Sequence, residues 1–171
     1  GAAALRTQLA EQHWSYMDGF QRELIARGPT LDPVSGTPTG SVHVVELPDA
    51  TAARAFAFDE PNYQAGVYRD VIVRRWRNLL GRTMWEFPGG QEGPHRYLVL
   101  ALAPAGGSEP TVPVDTSDLI AYGPLLSDDG RRTLGLAVLV RAADPEAARW
   151  VLGGRHYPEV DVHDWDFGGR S

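Results

Sequence analysis

Residues 27–31 read RGPTL, and residues 122–126 read YGPLL. The two stretches are 95 positions apart, from residue 27 to residue 122. The same offset relates the AAR of residues 52–54 to the AAR of residues 147–149. A shared offset without a gap indicates an internal repeat, and a repeat decides the architecture before any other feature. The sequence therefore predicts two related half-units that share one core.

The first half reads as helix, strand, strand, helix, strand. Apolar residues at three- and four-residue spacing predict one helix over residues 2–26, which the Gly28-Pro29 pair should end. A strand is expected around that glycine–proline corner. Further strands are predicted over residues 41–47 and 67–76, with a helix over residues 50–58 between them.

The second half reads as strand, loop, strand, strand, helix, strand. Its predicted strands are residues 96–103, 118–126, 133–140 and 159–167. The segment 104–118 is rich in Pro, Gly and Ser and is predicted to be a loop, while Asp144-Pro145 opens a short helix. By symmetry the first half should begin with a strand as well, and we expect that strand upstream of Gly1.

Each completed half is then a βαββαβ unit, which is the ferredoxin-like arrangement. The predicted fold class is α+β, with two sheets face to face around a shared interior. The expected division is a first unit over residues 1–80, a Gly- and Pro-rich linker over residues 81–94, and a second unit over residues 95–171.

Composition excludes several classes of function. The chain has no cysteine, and all sixteen of its basic residues are arginine, so thiolate chemistry and lysine Schiff bases are excluded. The net charge of −6 argues against a nucleic-acid partner. The sequence contains neither a long apolar run nor a recognisable signal peptide, so we expect no membrane partner and a cytoplasmic location. Nucleotide-binding and hydrolase motifs are absent, and no cofactor is predicted.

Six segments carry a family resemblance: residues 11–14 (EQHW), 27–29 (RGP), 39–41 (TGS), 52–56 (AARAF), 59–68 (DEPNYQAGVY) and 71–73 (VIV). In this order, over roughly residues 5–77, the chain resembles the YCII-related (YciI-like) family of small α/β-barrel proteins. The resemblance implies ferredoxin-like units that pair into a dimeric α+β barrel. It therefore implies an internal pseudo-dimer whose second half is a degenerate relative of the first.

The resemblance also implies a catalytic cleft, with a histidine of the first helix and an acidic residue beside it. The histidine would be His13, since an imidazole ring can take or give a proton near neutral pH. Residues 60–63 (EPNY) stand where the family has Asp-Pro-Tyr, so either Asp59 or Glu60 could be the acid. The competing interpretation is an inert histidine at the edge of the core, with both carboxylates in a solvated turn.

Aromatic residues near these groups are candidates for binding a ring: Trp14, Tyr63 and Tyr68. As aromatics beside a strand they could equally belong to the core. At the offset of 95 positions, His13 corresponds to Ser108 and Glu60 to Arg155, so the second half lacks both groups. The repeat therefore predicts one site for each chain, in the first half.

Near the C-terminus, Asp161 and His163 would share one face of a strand. No matched metal-ligand spacing accompanies them, and a strand with valines inward and polar residues outward explains the pattern more simply. No metal site is predicted.

Together these features lead to two hypotheses. The first is a YCII-like enzyme that performs cofactor-free acid–base chemistry, such as elimination, isomerisation or cyclisation, on a small molecule; aromatic and polyketide-like compounds are candidates. The second is a non-catalytic module for small-molecule binding or dimerisation. A homodimer is compatible with both. The distance from the His13 ring to a carboxylate discriminates between them, because hydrogen-bond reach in an open pocket favours the enzyme.

Overall fold

A computed structural model describes residues 1–103 and 108–169. The helices are α1 (Ala2–Gln8), α2 (Ala10–Asp18), α3 (Ala50–Phe58), α4 (Pro61–Gln64) and α5 (Pro145–Ala148), with 3₁₀ turns at Met84–Glu86 and Arg149–Leu152. The strands are β1 (Leu24–Leu31), β2 (Pro38–Val45), β3 (Arg75–Trp76), β4 (Arg96–Leu102), β5 (Leu119–Leu126), β6 (Thr133–Arg141) and β7 (Glu159–Trp165).

The strands form a single seven-stranded sheet in the order β2-β1-β7-β4-β6-β5-β3. The strand pairs in the described residues are antiparallel. The expected mixture of helices with a β-sheet is therefore confirmed, but the two expected sheets are one continuous sheet, because β1 pairs with β7 and β3 with β5. Within the second half the order β7-β4-β6-β5 is that of a ferredoxin-like unit, in which the first and third strands lie in the middle.

Strand pairs join the two halves at two places in the sheet. Thr30 of β1 pairs with Trp165 of β7, and Leu125 of β5 pairs with Trp76 of β3. At both contacts a glycine two residues earlier lets the chains approach closely. A Cβ at Gly28 would lie 1.9 Å from the Asp166 carbonyl oxygen, and a Cβ at Gly123 would lie 1.7 Å from that of Arg77.

One helix in each half, α3 or α5, begins in the same way. The Asp49 side chain accepts a hydrogen bond from the backbone N–H of Ala52 at the start of α3. The Asp144 side chain accepts one from the backbone N–H of Ala147 at the start of α5. An aspartate in this position satisfies a helix N–H group that has no partner within the helix.

The predicted helix over residues 2–26 is wrong beyond residue 18. Two helices, α1 and α2, replace it, and the chain is extended again from Leu24 to Leu31. The burial of β1 alternates along the strand, so Leu24 fits a two-residue period as well as the helical one. The Gly28-Pro29 pair therefore lies inside a strand and does not end a helix.

The predicted strand over residues 67–76 is confirmed only at its last two residues, which form β3. Ile72 is 71% exposed and Val71 is 36% exposed. An apolar, β-branched run forms a strand only where a partner strand and an apolar surface receive it. The other predicted strands and the helix over residues 50–58 match the observed elements to within two residues, apart from residues 41–47, whose strand begins at Pro38.

The core has two clusters of buried side chains. One lies in the second half, around Val99, Tyr122 and Val138. The other joins both halves through Ala26, Ile120 and Trp165. The segment 81–94, which was expected to be a linker, supplies Met84 and Phe87 to this second cluster.

In the segment predicted as a loop, residues 104–107 lie outside the described residues, and residues 108–118 contain no helix or strand. Across the two described ranges, no helix has the length and apolar character needed to cross a membrane.

Candidate functional site

The site centres on a contact between α2 and the start of α4. The His13 Nδ1 atom lies 2.6 Å from the Glu60 Oε1 atom. The His13 side chain is 16% exposed and that of Glu60 is 4% exposed. The predicted histidine thus lies within hydrogen-bond reach of one of the two predicted carboxylates.

Local structure decides which carboxylate contacts the histidine. Glu60 precedes Pro61, the first residue of α4, and its Oε2 atom accepts a hydrogen bond from the backbone N–H of Tyr63 at 3.0 Å. This N-cap role holds the side chain inward. Asp59 ends α3 and is exposed. Of the two alternatives, Glu60 is therefore the partner of His13.

The charge on Glu60 fixes the hydrogen bonding of His13. Burial would raise the pKa of Glu60, but hydrogen bonds from His13 and from the backbone N–H groups of Asn62 and Tyr63 hold it below its usual value. An ionised carboxylate only accepts hydrogen bonds, so His13 Nδ1 is the donor. The lone pair of the neutral ring then lies on Nε2, which is the arrangement of a general base.

A cavity of about 250 Å³ opens beside this pair. It is lined by residues of both ends of the chain: Arg6, Ala10, His13, Trp14, Arg27, Gly28, Pro29, Pro38, Ser41, His43, Asn62, Phe167, Gly168 and Gly169. Its size is slightly below the ~300–1,000 Å³ of typical ligand pockets. A molecule of about one substituted ring would fill it.

The three predicted binding residues have different places. Trp14 lines the cavity. Tyr63 is 36% exposed and packs its ring against Phe58, at 4.9 Å between ring centres, so it lies outside the cavity. Tyr68 lies behind the cavity wall, where its hydroxyl donates a hydrogen bond to Ser41 Oγ at 3.1 Å. Burial raises the pKa of the Tyr68 phenol, which disfavours it as a proton donor.

A second histidine, which the sequence reasoning missed, lies against the first. The His43 ring packs edge-on to that of His13, with 5.6 Å between ring centres. The pKa of His43 is lowered to about 3, first by burial, then by His13 whenever that ring is protonated, and by the positive charges of Arg27 and Arg6. His43 is therefore uncharged at neutral pH and cannot act as the acid of the pair.

Strand alternation turns His43 toward the cavity. Val42 and Val44 of β2 pack into the core, so Ser41 and His43 face the opposite side. Arg27 lies directly opposite His43 on the neighbouring strand β1. The cavity wall is therefore a polar face of the β1–β2 pair.

Comparison with known proteins identifies the family to which the chain belongs. Residues 1–77 match the model of the YCII-related domain. An uncharacterised protein of Haemophilus influenzae is 31% identical over 81 residues, which is 43% of this chain and 83% of that protein. The chain belongs to the YCII-related family. No solved structure gave a significant match.

The YCII-related region contains His13, Glu60 and almost the whole cavity wall. The exception is Phe167, Gly168 and Gly169, which follow β7 and close one side. The backbone N–H of Gly168 donates to the carbonyl of Arg27 at 3.1 Å, which fixes this tail on β1. The second half therefore contributes a wall to a cavity whose ionisable groups, among the described residues, come from the first half.

One signal in the sequence could have found the missed residues. At the offset of 95 positions Arg27 corresponds to Tyr122, and His43 corresponds to Val138. Arg27 and His43 lie opposite each other on paired strands, and so do Tyr122 and Val138. A polar pair in the first half therefore corresponds to a largely apolar pair in the second. Comparing the copies position by position would have marked this pair.

Strand β7 alternates as predicted, with Asp161 and His163 exposed and Val160 and Val162 packed against the core. In the part of the chain that the structure describes, no group of three His, Cys, Asp or Glu side chains could hold a metal ion.

Proposed function

We propose that this YCII-related protein is an enzyme that performs cofactor-free acid–base chemistry on a small molecule of about one substituted ring. The reaction class is elimination, isomerisation or cyclisation, since each of these moves protons without a redox step. His13 takes and returns the proton, and Glu60 orients it. Aromatic and polyketide-like molecules are the candidate substrates.

One observation carries this proposal: the 2.6 Å contact between His13 and Glu60 at the wall of an open cavity. An ionised carboxylate that accepts from Nδ1 stabilises the imidazolium that forms when Nε2 takes a proton. The carboxylate is itself held by the start of α4, so the pair is organised before a ligand binds. This geometry favours the enzyme over the non-catalytic binding module.

Solvent hydrogen exchange tests the proposal without knowledge of the natural substrate. A panel of 1,3-dicarbonyl compounds and hydroxylated aromatic rings is incubated with the protein in D₂O, and loss of carbon-bound protons is followed by NMR. The wild-type protein should accelerate exchange for at least one class. His13→Asn should lower that rate by roughly 10²–10⁴-fold, the usual contribution of a general base.

Asp59→Asn is the matched control, because Asp59 neighbours Glu60 in sequence but is exposed. It should exchange at the wild-type rate, whereas Glu60→Gln should be slower. Equal rates for the wild-type protein and His13→Asn would contradict the proposal. Absence of any acceleration by the wild-type protein would favour the binding module.

We also propose that the chain is a tandem pair of ferredoxin-like units, residues 1–80 and 95–171, arranged as a pseudo-dimer of the dimeric α/β-barrel type. Support comes from the reciprocal strand pairing, from the two matched glycines and from the two matched helix caps. Further pairing into a homodimer and a cytoplasmic location stay predictions; light scattering of the purified protein checks the first.

A further inference from the structure

The cavity has an unbalanced charge. Two guanidinium groups, those of Arg6 and Arg27, line it, and its lining among the described residues contains no acidic residue. The Glu60 carboxylate lies behind His13 with both oxygens hydrogen-bonded. For the described residues, two positive charges less that one negative charge leave a single positive charge, inside a chain whose net charge is −6. Such a local excess attracts an anion and raises its local concentration.

Among the described residues, which are 1–103 and 108–169, no acidic side chain forms an ion pair with the guanidinium of Arg6 or Arg27. Arg6 donates to the carbonyl of Gly40 at 3.1 Å and to Ser41 Oγ at 3.0 Å, two neutral oxygens that fix its position. The Arg27 Nε atom is buried and has no hydrogen-bond partner there.

A buried acceptor lies on the same wall. Asn62 is 1% exposed, and its Oδ1 atom has no hydrogen-bond partner among the described residues. Its Nδ2 atom points to the Tyr68 hydroxyl at a long 3.5 Å, and that hydroxyl donates in turn to Ser41. In this orientation of the amide, Oδ1 is left for a donor from outside. A buried polar atom without a partner is unfavourable, and a ligand that supplies the partner recovers that free energy.

We infer that the cavity binds a small organic carboxylate that also carries a hydroxyl group. Arg6 and Arg27 hold the carboxylate, and Asn62 Oδ1 accepts a hydrogen bond from the hydroxyl. The single excess charge of the cavity matches a monoanion better than a phosphate dianion. This substrate class rests on the proposed function, because it places the ligand beside His13.

Binding of the three hydroxybenzoate isomers, measured by calorimetry, tests the inference. At least one isomer should bind, and the hydroxybenzamide of the same pattern should bind at least 10-fold more weakly because it lacks the charge. Arg6→Gln and Arg27→Gln should each lower the affinity by about 10–100-fold, which is the range for a hydrogen bond to a charged group. Arg54→Gln is the control, since Arg54 pairs with Asp128 on the surface.

The contribution of Asn62 is separable from that of the arginines. Asn62→Leu keeps the size of the side chain and removes the acceptor, so it should abolish the preference for hydroxybenzoate over benzoate. Circular dichroism and the retained affinity for benzoate would show that this variant is folded. A preference that survives in folded Asn62→Leu would overturn the role of Asn62.

Three results would overturn the substrate class: equal binding of hydroxybenzamide, wild-type affinity in both arginine variants, or tighter binding of phenyl phosphate. Absence of measurable binding at 10 mM ligand would also overturn it, because the dissociation constant would then be about 100-fold above one of 100 μM. His13→Asn separates this inference from the proposed function. It should still bind hydroxybenzoate in preference to the hydroxybenzamide while losing proton exchange.

Discussion

The same two positions touch in both halves of the molecule, but with different chemistry. In the first half the His13 ring hydrogen-bonds to the Glu60 carboxylate at 2.6 Å. In the second half the residues 95 positions further on are Ser108 and Arg155, and the Arg155 guanidinium donates to the carbonyl of Ser108 at 2.9 Å. Both contacts tie the segment before the strand that contains the Gly-Pro pair, β1 or β5, to the segment after the helix that an aspartate caps, α3 or α5. The contact is therefore structural in both halves, and only the first has groups that can move a proton.

The strands beneath these contacts differ in the same way. Arg27 and His43 are paired in the first half, and Tyr122 and Val138 are paired at the corresponding places in the second. Val138 is 1% exposed and belongs to the core, and the Tyr122 hydroxyl donates to the carbonyl of Thr111 at 3.0 Å. One half thus keeps polar groups beside a cavity, and the other uses the same positions for packing.

Gly28 and Gly123, at the two places where strands of the halves pair, give the strongest test that the two halves are equivalent. Gly28→Ala and Gly123→Ala should each lower the free energy of unfolding by about 3 kcal/mol or more, because the new methyl group meets a backbone oxygen. Urea denaturation measures both. Gly36→Ala, at a φ of 68° with nothing near its Cβ, is the control and should cost about 1 kcal/mol. A large loss at only one of the two glycines would break the comparison.

Exchanging the strand residues sharpens the comparison further. Val138→His places a polar ring in a closed core and should destabilise the protein by about 2–3 kcal/mol at pH 7. His43→Val removes a ring that already lies beside a cavity and should cost less. Thermal or urea unfolding of the two variants provides the measurement. Similar losses would mean that the two positions are equally closed, against the structure.

His43 should also make stability depend on pH. Its pKa is about 3 in the folded chain and about 6.5 in the unfolded one, so the unfolded state binds more protons between these values. Stability is then fully present above pH 6.5 and is lost as the pH falls toward 3, by up to about 2 kcal/mol between pH 7 and pH 5.

His43→Gln should flatten the loss between pH 7 and pH 5, and unfolding curves at both pH values measure it. The charged and titratable groups that act on His43 are His13, Glu60, Arg27 and Arg6, which all remain in the variant. An unchanged slope in His43→Gln would assign the pH dependence elsewhere.

The smallest effects concern the paired contacts themselves. Glu60→Gln should lower the free energy of unfolding by about 1–2 kcal/mol at pH 7, since a charged hydrogen-bond partner is lost. The pKa of Glu60 is lowered on folding, so its contribution is present above pH ~4.3 and disappears as the pH falls through the folded value.

Arg155→Gln should cost about 0.5–1 kcal/mol at every pH, because its partners are carbonyl groups that do not titrate. The two variants are compared by urea denaturation between pH 7 and pH 3. A pH-dependent loss in Arg155→Gln, or a constant one in Glu60→Gln, would contradict the assignment.

Local patterns in the sequence predicted most of the sheet and the position of His13. The strands of the second half are runs of apolar residues whose partners follow closely, as β5 and β6 do, so local pattern is sufficient. The strand prediction was wrong for residues 67–74 because a strand also needs a neighbouring strand, and a periodic pattern does not say whether one exists. The predicted end of the first helix was wrong because Leu24 fits both the helical period and the two-residue period of a strand.

The candidate site was predictable only in part, for a related reason. Helix position and family resemblance identified His13. The choice between Glu60 and Asp59 required the structure, because Glu60 is distinguished by its role as the N-cap of α4 before Pro61. Arg6, Arg27 and His43 lie on three different elements that meet through strand pairing and side-chain hydrogen bonds. No local spacing in the sequence relates residues brought together in this way.

The strand pairing between the two halves has a consequence for how the chain folds. The pairing of Thr30 with Trp165 joins residues from near the two ends of the chain. Contacts so distant in sequence close a long loop, and they slow folding because the entropy of closure is lost before the contact stabilises anything. The cavity wall at Phe167–Gly169 depends on this distant pairing. The contact between the histidine and the glutamate lies within one half and does not require it, so the proposed catalytic pair and the finished cavity depend on different parts of the folding process.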